Sequence, residues 1–403
     1  MVVLGATLAT PLVAVAQPDA AGATAGQPIP CPKAAAPKVS RPPRPTPPPS
    51  NPAQRIVGGE QLDTSGLVTA PGGSQPPAVT AISWLVADLD TGAVIGACGP
   101  HEYGTPASVQ KLLLTATMLP KLDPKQIATV THADLDIPQD SSAVGLVEGG
   151  HYSVETLWLG LLLQSGNDAA GVLARLGGGA AGMAGGVQAM NEEAARLGAF
   201  QTHAVTPSGY DGPGQFTSAY DLALIARVCF NNETFRRYAL TQRAQIPAQP
   251  PKHPKGFQIQ NENQLIFKYP GALGGKTGFT SLARHTYVGA AERNGRRLVV
   301  TLLGAEPKPL RGWQQGAALL DWGFSQPSDA SVGRLVDPGE VSPSASPVAS
   351  SPNAPAVAAA AATAAAGDTV WATSPIIVAG VALAGTSVVV AGAVRRRRRR
   401  RRT

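Results

Sequence analysis

The chain has 403 residues, 43% of them hydrophobic and 15% charged, and a formal net charge of +7. Eight of its arginines form one block at residues 395–402, and subtracting those eight charges from +7 leaves the remainder at −1, so no basic face is offered to nucleic acid. Three cysteines are too few for a disulfide framework, and six scattered histidines lack ligand spacing, so neither a metal nor another cofactor is expected.

Residues 1–16 are apolar and end in Ala14-Val15-Ala16, the small-x-small pattern of a cleaved signal peptide. The usual positive n-region is missing, so either the start-methionine amine serves or the true start lies upstream of Met1. Residues 17–77 are rich in Pro, Ala and Gly, with Arg41-Pro42-Pro43-Arg44-Pro45 among them. Such a segment buries too little apolar surface to fold and is read as an extended spacer. The folded region is expected at residues 78–325. Residues 81–88 and 93–97 read as strands around the turn Asp90-Thr91-Gly92, and a helical middle is expected from residue 108 to about 230. Strands return at 274–280, 286–291 and 298–303, the last two joined across Asn294-Gly295, and 310–322 reads as a closing helix. Strands at both ends with helices between predict an α/β fold: one antiparallel sheet flanked by helices, a helical lobe, and a cleft where they meet.

A second spacer, rich in Pro, Ser and Ala, covers 326–373. Residues 374–394 carry no charge and are long enough to cross the hydrocarbon core of a bilayer. The arginine block that follows, within the tail 395–403, puts the C-terminus in the cytoplasm and the body of the protein outside, as a single-pass protein with a C-terminal anchor. An oxidising exterior allows one Cys98–Cys229 bridge with Cys31 free in the spacer, although the apolar contexts of Cys98 and Cys229 suit buried thiols better.

Ser108-Val109-Gln110-Lys111 opens an apolar run after Thr105-Pro106, and Pro120 closes it. Residues three apart share a helix face, so Lys111 can reach the Ser108 hydroxyl and activate it without a histidine. At the start of a helix, free N–H groups and the positive dipole end favour an oxyanion. Alone this motif is common; its company is Ser165-Gly166-Asn167, then Lys276-Thr277-Gly278 after Gly271-Ala272-Leu273-Gly274-Gly275.

The ordered set Ser-x-x-Lys, Ser-x-Asn, Lys-Thr-Gly resembles that of the penicillin-recognising serine enzymes, a group holding D-alanyl-D-alanine peptidases and serine β-lactamases. Thr206-Pro207-Ser208-Gly209-Tyr210-Asp211, Thr217-Ser218-Ala219-Tyr220-Asp221-Leu222-Ala223 and Asn261-Glu262-Asn263-Gln264-Leu265 resemble segments of low-molecular-mass D-Ala-D-Ala carboxypeptidases. The resemblance implies a β-lactamase/transpeptidase-like fold in a single catalytic domain. It implies a serine peptidase that removes the terminal D-alanine from peptidoglycan stem pentapeptides and is inhibited by β-lactams. In that scheme Ser108 is the nucleophile and Lys111 its base. Ser165 relays a proton to the leaving nitrogen, and Asn167 binds the substrate backbone and the lysine. Lys276 and Thr277 take the terminal carboxylate, Gly278 leaves room for substrate at the strand edge, and the backbone N–H groups of Ser108 and Phe279 form the oxyanion hole. Arg284 and His285 follow closely and read as a solvated loop.

The spacing of the motifs suits a class A β-lactamase equally well. None of Glu192, Glu193, Glu233 and Glu262 has Asn four residues later, however, which removes the deacylating loop of that class. The alternatives are a β-lactamase of the same fold and a non-catalytic wall-binding protein.

Overall fold

The computed structural model describes residues 27–342, so the expected leader at 1–16, the apolar span at 374–394 and the arginine tail lie outside the described residues. In chain order the strands are β1 (Leu67–Thr69), β2 (Ser83–Asp88), β3 (Val94–Cys98), β4 (Ile127–Thr129), β5 (His151–Ser153), β6 (Arg243–Ile246), β7 (Phe257–Gln260), β8 (Ala272–Thr280), β9 (Arg284–Arg293) and β10 (Arg296–Ala305). The helices are α1 (Pro52–Arg55), α2 (Lys111–Met118), α3 (Val154–Leu163), α4 (Asn167–Gly177), α5 (Gly182–Arg196), α6 (Ala219–Asn231), α7 (Glu233–Leu240), α8 (Leu265–Lys268) and α9 (Gly312–Ser325).

Six strands form one antiparallel sheet in the order β1-β3-β2-β10-β9-β8. All six residues of β2 are buried, as expected of a strand covered on both faces rather than one. Helix α9 packs on one face with Leu319, Leu320 and Trp322, against Trp84, Tyr287 and Val300. On the other face lies α6, followed by a helical lobe centred on α2, every residue of which is buried. A helix buried all round must satisfy its polar groups internally; its two threonines place their hydroxyls on Lys111 O and Leu113 O one turn back. Ser153, Ser218 and Asn232 cap α3, α6 and α7 through their side-chain oxygens.

Three expectations are corrected. The folded body is wider than 78–325: β1 pairs with β3 in the register Leu67↔Cys98, and Lys33 bridges to Val79. The chain after α9 returns too, with Val332 N–H donating to Val94 O and Arg334 N–H to Gly58 O, both at 2.8 Å. A Pro/Gly-rich segment that builds no core of its own can still satisfy an open sheet edge, and Leu62 is buried there beside Leu335. The helical middle is interrupted by the ribbon β4–β5, because Pro124 and the positive-φ glycines Gly145 and Gly149 break any helix over 124–150. Finally, the disulfide joins Cys31 to Cys98 and leaves Cys229 a buried thiol. Cys98 belongs to the core on the α9 face and Cys229 to the core on the lobe face, so the sheet stands between them. Among the described residues no helix is long and apolar enough to cross a membrane.

Candidate active site

Ser108 sits in a tight 3-10 turn, Ala107–Gln110, that runs into α2. Ala107, buried, holds the left-handed conformation (φ 48°), strain that the surrounding core imposes at the entry to the turn. Lys111, fully buried, donates to Ser108 Oγ at 2.8 Å, Asn167 Oδ1 at 2.7 Å and Ser208 O at 2.8 Å. Ser165 lies between α3 and α4, also left-handed (φ 59°), and Asn167 is the first residue of α4. The break between the two helices thus turns both side chains inward. Strand β8 supplies Lys276, whose ammonium reaches Ser165 Oγ at 2.9 Å and its neighbour's carbonyl, Thr277 O, at 2.7 Å. Ser108, Ser165, Asn167, Thr277, Gly278 and Phe279 line one open cleft of about 730 Å³ between lobe and sheet.

Burial acts on the two amines differently. Lys111 is held well below the usual lysine range, first by desolvation and then by the charge of Lys276, opposed by Asp168 and Glu262. Lys276 is brought down by desolvation only to about 8, with Glu262 supporting its charged form. Both shifts favour the uncharged amine, more strongly at Lys111 beside the serine hydroxyl than at Lys276 on the cleft wall.

The role of Gly278 differs in part from the expectation. A Cβ there would stand 2.9 Å from Ser108 N and 3.1 Å from Val109 N and collide with the Thr286 hydroxyl, so the missing side chain lets β8 approach the serine turn itself. That approach also sets Phe279 beside Ser108 in the cleft wall. Phe279 is half-exposed, its ring against His285. Arg284 and His285 are in β9 rather than a loop: Arg284 is held by Glu306 through two 3.0 Å contacts, while His285 lines the cleft.

Some cleft groups were not singled out from the sequence. Ser208 enters through its backbone carbonyl, which no side-chain pattern announces. Gly209 (φ 82°) seats that segment against Ala107 O. Arg311, just ahead of α9, lines the cleft as a charged side chain whose only signal is local polarity, and Glu262 lines it from the segment Asn261–Leu265 that carried part of the resemblance.

A serine, two buried lysines and an asparagine at these distances, on this sheet and lobe, are the groups of a serine hydrolase. Residues 71–307 match the model of peptidase family S11, D-alanyl-D-alanine carboxypeptidase. The chain is 43% identical over 272 residues to the D-alanyl-D-alanine carboxypeptidase DacB2 of Mycobacterium tuberculosis, covering 66% of this chain and 90% of that one. It is 33% identical to DacD of Escherichia coli, where the match covers 62% of this chain and 64% of that enzyme. A crystal structure of a Mycobacterium tuberculosis D-alanyl-D-alanine carboxypeptidase superposes with a TM-score of 0.62 at 40% identity, over 66% of this chain and all of that one. The Streptomyces K15 DD-transpeptidase does so with a TM-score of 0.59 at 26% identity, over 62% of this chain and all of that one. The chain belongs to the D-alanyl-D-alanine carboxypeptidase family and has its hydrolase fold.

Proposed function

We propose that Ser108 carries out the family's reaction on peptidoglycan stem pentapeptides by an acyl-enzyme route. Lys111 takes the Ser108 proton as Oγ attacks the penultimate D-Ala carbonyl, and the developing oxyanion meets the backbone N–H groups of Ser108 and Phe279. Ser165 delivers a proton to the leaving nitrogen, the peptide C–N bond breaks, and D-alanine departs; water then hydrolyses the Ser108 ester. Asn167 holds Lys111 and the substrate backbone, Lys276 and Thr277 bind the terminal carboxylate, and no metal or cofactor is needed. The observation that carries this reading is the 2.8 Å contact between Lys111 Nζ and Ser108 Oγ inside a buried set of otherwise neutral acceptors. β-Lactams, which present an acyl group to the same serine, act as inhibitors.

The uncharged run 374–394, followed by arginines, supports anchoring of the C-terminus in the cell membrane, with the catalytic body outside and the leader 1–16 directing export. The test uses the full chain in detergent with a peptide ending in D-Ala-D-Ala and a fluorescent penicillin. Release of D-alanine with a long-lived label, both lost in Ser108→Ala, is expected. Rapid penicillin turnover without D-alanine release makes the protein a β-lactamase, and neither label nor release from folded protein makes it a binding protein.

A further inference from the structure

The two buried lysines draw their hydrogen bonds from neutral groups only: Ser108, Asn167 and the Ser208 carbonyl for Lys111, and Ser165 and the Thr277 carbonyl for Lys276. Positive charge so enclosed is costly unless an anion stands near. The charged groups facing this space are Asp168 on α4, Asp140 and Asp211 on loops, His285 on β9, Arg311 ahead of α9, and Glu262 ahead of α8. Asp168 is already committed, accepting backbone N–H groups from Val144, Gly145, Leu146 and Ala169 at 2.9–3.0 Å. Asp211 accepts from Thr280 Oγ1 at 2.8 Å. Asp140 and Glu262 differ: among the described residues no protein group donates to either carboxylate and both are exposed on the cleft, but of the two it is Glu262 whose charge acts on both lysines.

Its placement is built rather than incidental. Both flanking residues are buried asparagines whose side-chain oxygens hold the turn, while Asn263 Nδ2 is left without a partner among the described residues. Asn261 Nδ2 donates to Ala239 O and Thr241 O, and its Oδ1 accepts from Asn263 N at 2.9 Å. Asn263 Oδ1 accepts from Leu265 N and from the Tyr287 hydroxyl. Glu262 N–H itself donates to Leu163 O, two residues before Ser165. The turn therefore fixes its backbone to the end of α3 and to the sheet and leaves its exposed carboxylate in the cleft, beyond ion-pair contact with either lysine.

We propose that Glu262 is a positioning residue that acts through Lys276: it is the counter-charge that keeps that lysine an ammonium, so that Lys111 is the amine left to take the serine proton. The proposal rests on the assignment of Lys111 as base and Lys276 as cation. In agreement, Glu262 is what opposes desolvation at Lys276, while at Lys111 Asp168 contributes more than Glu262 does.

The test is Glu262→Gln in the full chain, with kcat/KM for D-alanine release and the rate of penicillin acylation measured from pH 5 to 10. Glutamine keeps the size, and the asparagines that hold the turn are untouched, so the variant folds; its thermal unfolding checks this. The alkaline limb, which follows Lys276, is expected to move to lower pH by about one unit and the acid limb by less, which lowers kcat/KM near pH 9 roughly tenfold while changing it less than about threefold near pH 6.5. Glu262→Asp restores the parent limbs. A uniform loss at every pH, or an unmoved profile, overturns the proposal while leaving the serine mechanism standing. A parent chain that labels with penicillin but releases no D-alanine would instead remove the reading on which it rests.

Discussion

Gly278→Ala probes the closest approach between sheet and lobe. The added Cβ would meet Ser108 N at 2.9 Å, Val109 N at 3.1 Å and the Thr286 hydroxyl closer still. Thr286 cannot turn away cheaply, because its hydroxyl donates to Pro106 O at 2.7 Å inside the core. Relief must come from β8 moving away from the serine turn, by about 0.6–1 Å if an ordinary carbon contact of ~3.5–4 Å is to be restored. That motion separates the Ser108 N–H from the Phe279 N–H, the two donors assigned to the oxyanion. A displacement near 1 Å, or loss of one such donor, costs on the order of 10²-fold in rate. The expected result is kcat/KM for D-alanine release and for penicillin acylation lowered about 10²-fold, with KM changed far less and a thermal midpoint lowered by only a few degrees. Activity within about threefold of the parent would refute the claim that Gly278 sets the spacing of the oxyanion site.

Lys111→Met, close in shape and without the amine, is expected to slow acylation by roughly 10²–10⁴-fold, the range of a lost general base, measured by stopped-flow penicillin binding; normal acylation would remove Lys111 as the base. Cys31→Ser opens a bridge between residues 67 apart in sequence, for which loop-closure entropy predicts a loss of about 4 kcal/mol in unfolding free energy, read from urea denaturation with the disulfide intact or absent; an unchanged midpoint would mean that the N-terminal segment is held by its other contacts. Asp221 is fully buried, its carboxyl pushed up to about 7 by desolvation, with one oxygen lacking a hydrogen-bond partner. The folded state therefore binds the proton more tightly than the unfolded state, and its contribution to stability falls as pH rises from about 4 to about 7. Asp221→Asn is expected to flatten that part of the stability profile and to gain relative to the parent above pH 7; parallel profiles would show that Asp221 does not titrate there.

The three motifs that meet at the cleft were legible because each is local: Ser108 and Lys111 lie three apart, Ser165 and Asn167 two apart, and Lys276-Thr277-Gly278 is continuous. The central strands were legible as apolar runs between turn signals, and β9 and β10 do meet across Asn294-Gly295. What escaped was non-local. The pairing of Leu67 with Cys98, and with it the Cys31–Cys98 bridge, depends on which sheet edge lies open, which the composition of residues 17–77 does not express. Ser208 contributes an atom that every residue owns. Glu262 was weighed for an asparagine four residues later, whereas its role depends on the asparagines on either side.

On the proposed assignment, counting protons accounts for a serine activated by an amine. An ammonium at Lys111 has three N–H donors, and the structure supplies three acceptors: Ser108 Oγ, Asn167 Oδ1 and Ser208 O. Neutral Lys111 keeps two donors and gains a lone pair, so one of those partners must donate. A carbonyl oxygen and an amide oxygen have no proton to give; the hydroxyl of Ser108 does. Desolvation, which favours the neutral amine, therefore also orients it, with the lone pair on the serine hydroxyl and both N–H groups on Asn167 and Ser208. The same count at Lys276 runs the other way. Held as an ammonium, it donates to Ser165 Oγ and Thr277 O and leaves one N–H for the cleft, while Ser165, already accepting from nitrogen, is left with its own proton to donate. One amine is set to receive a proton and the other to keep a hydroxyl facing forward as a donor. The proposed direction of proton flow, from Ser108 toward the leaving nitrogen, follows from which lysine bears the charge.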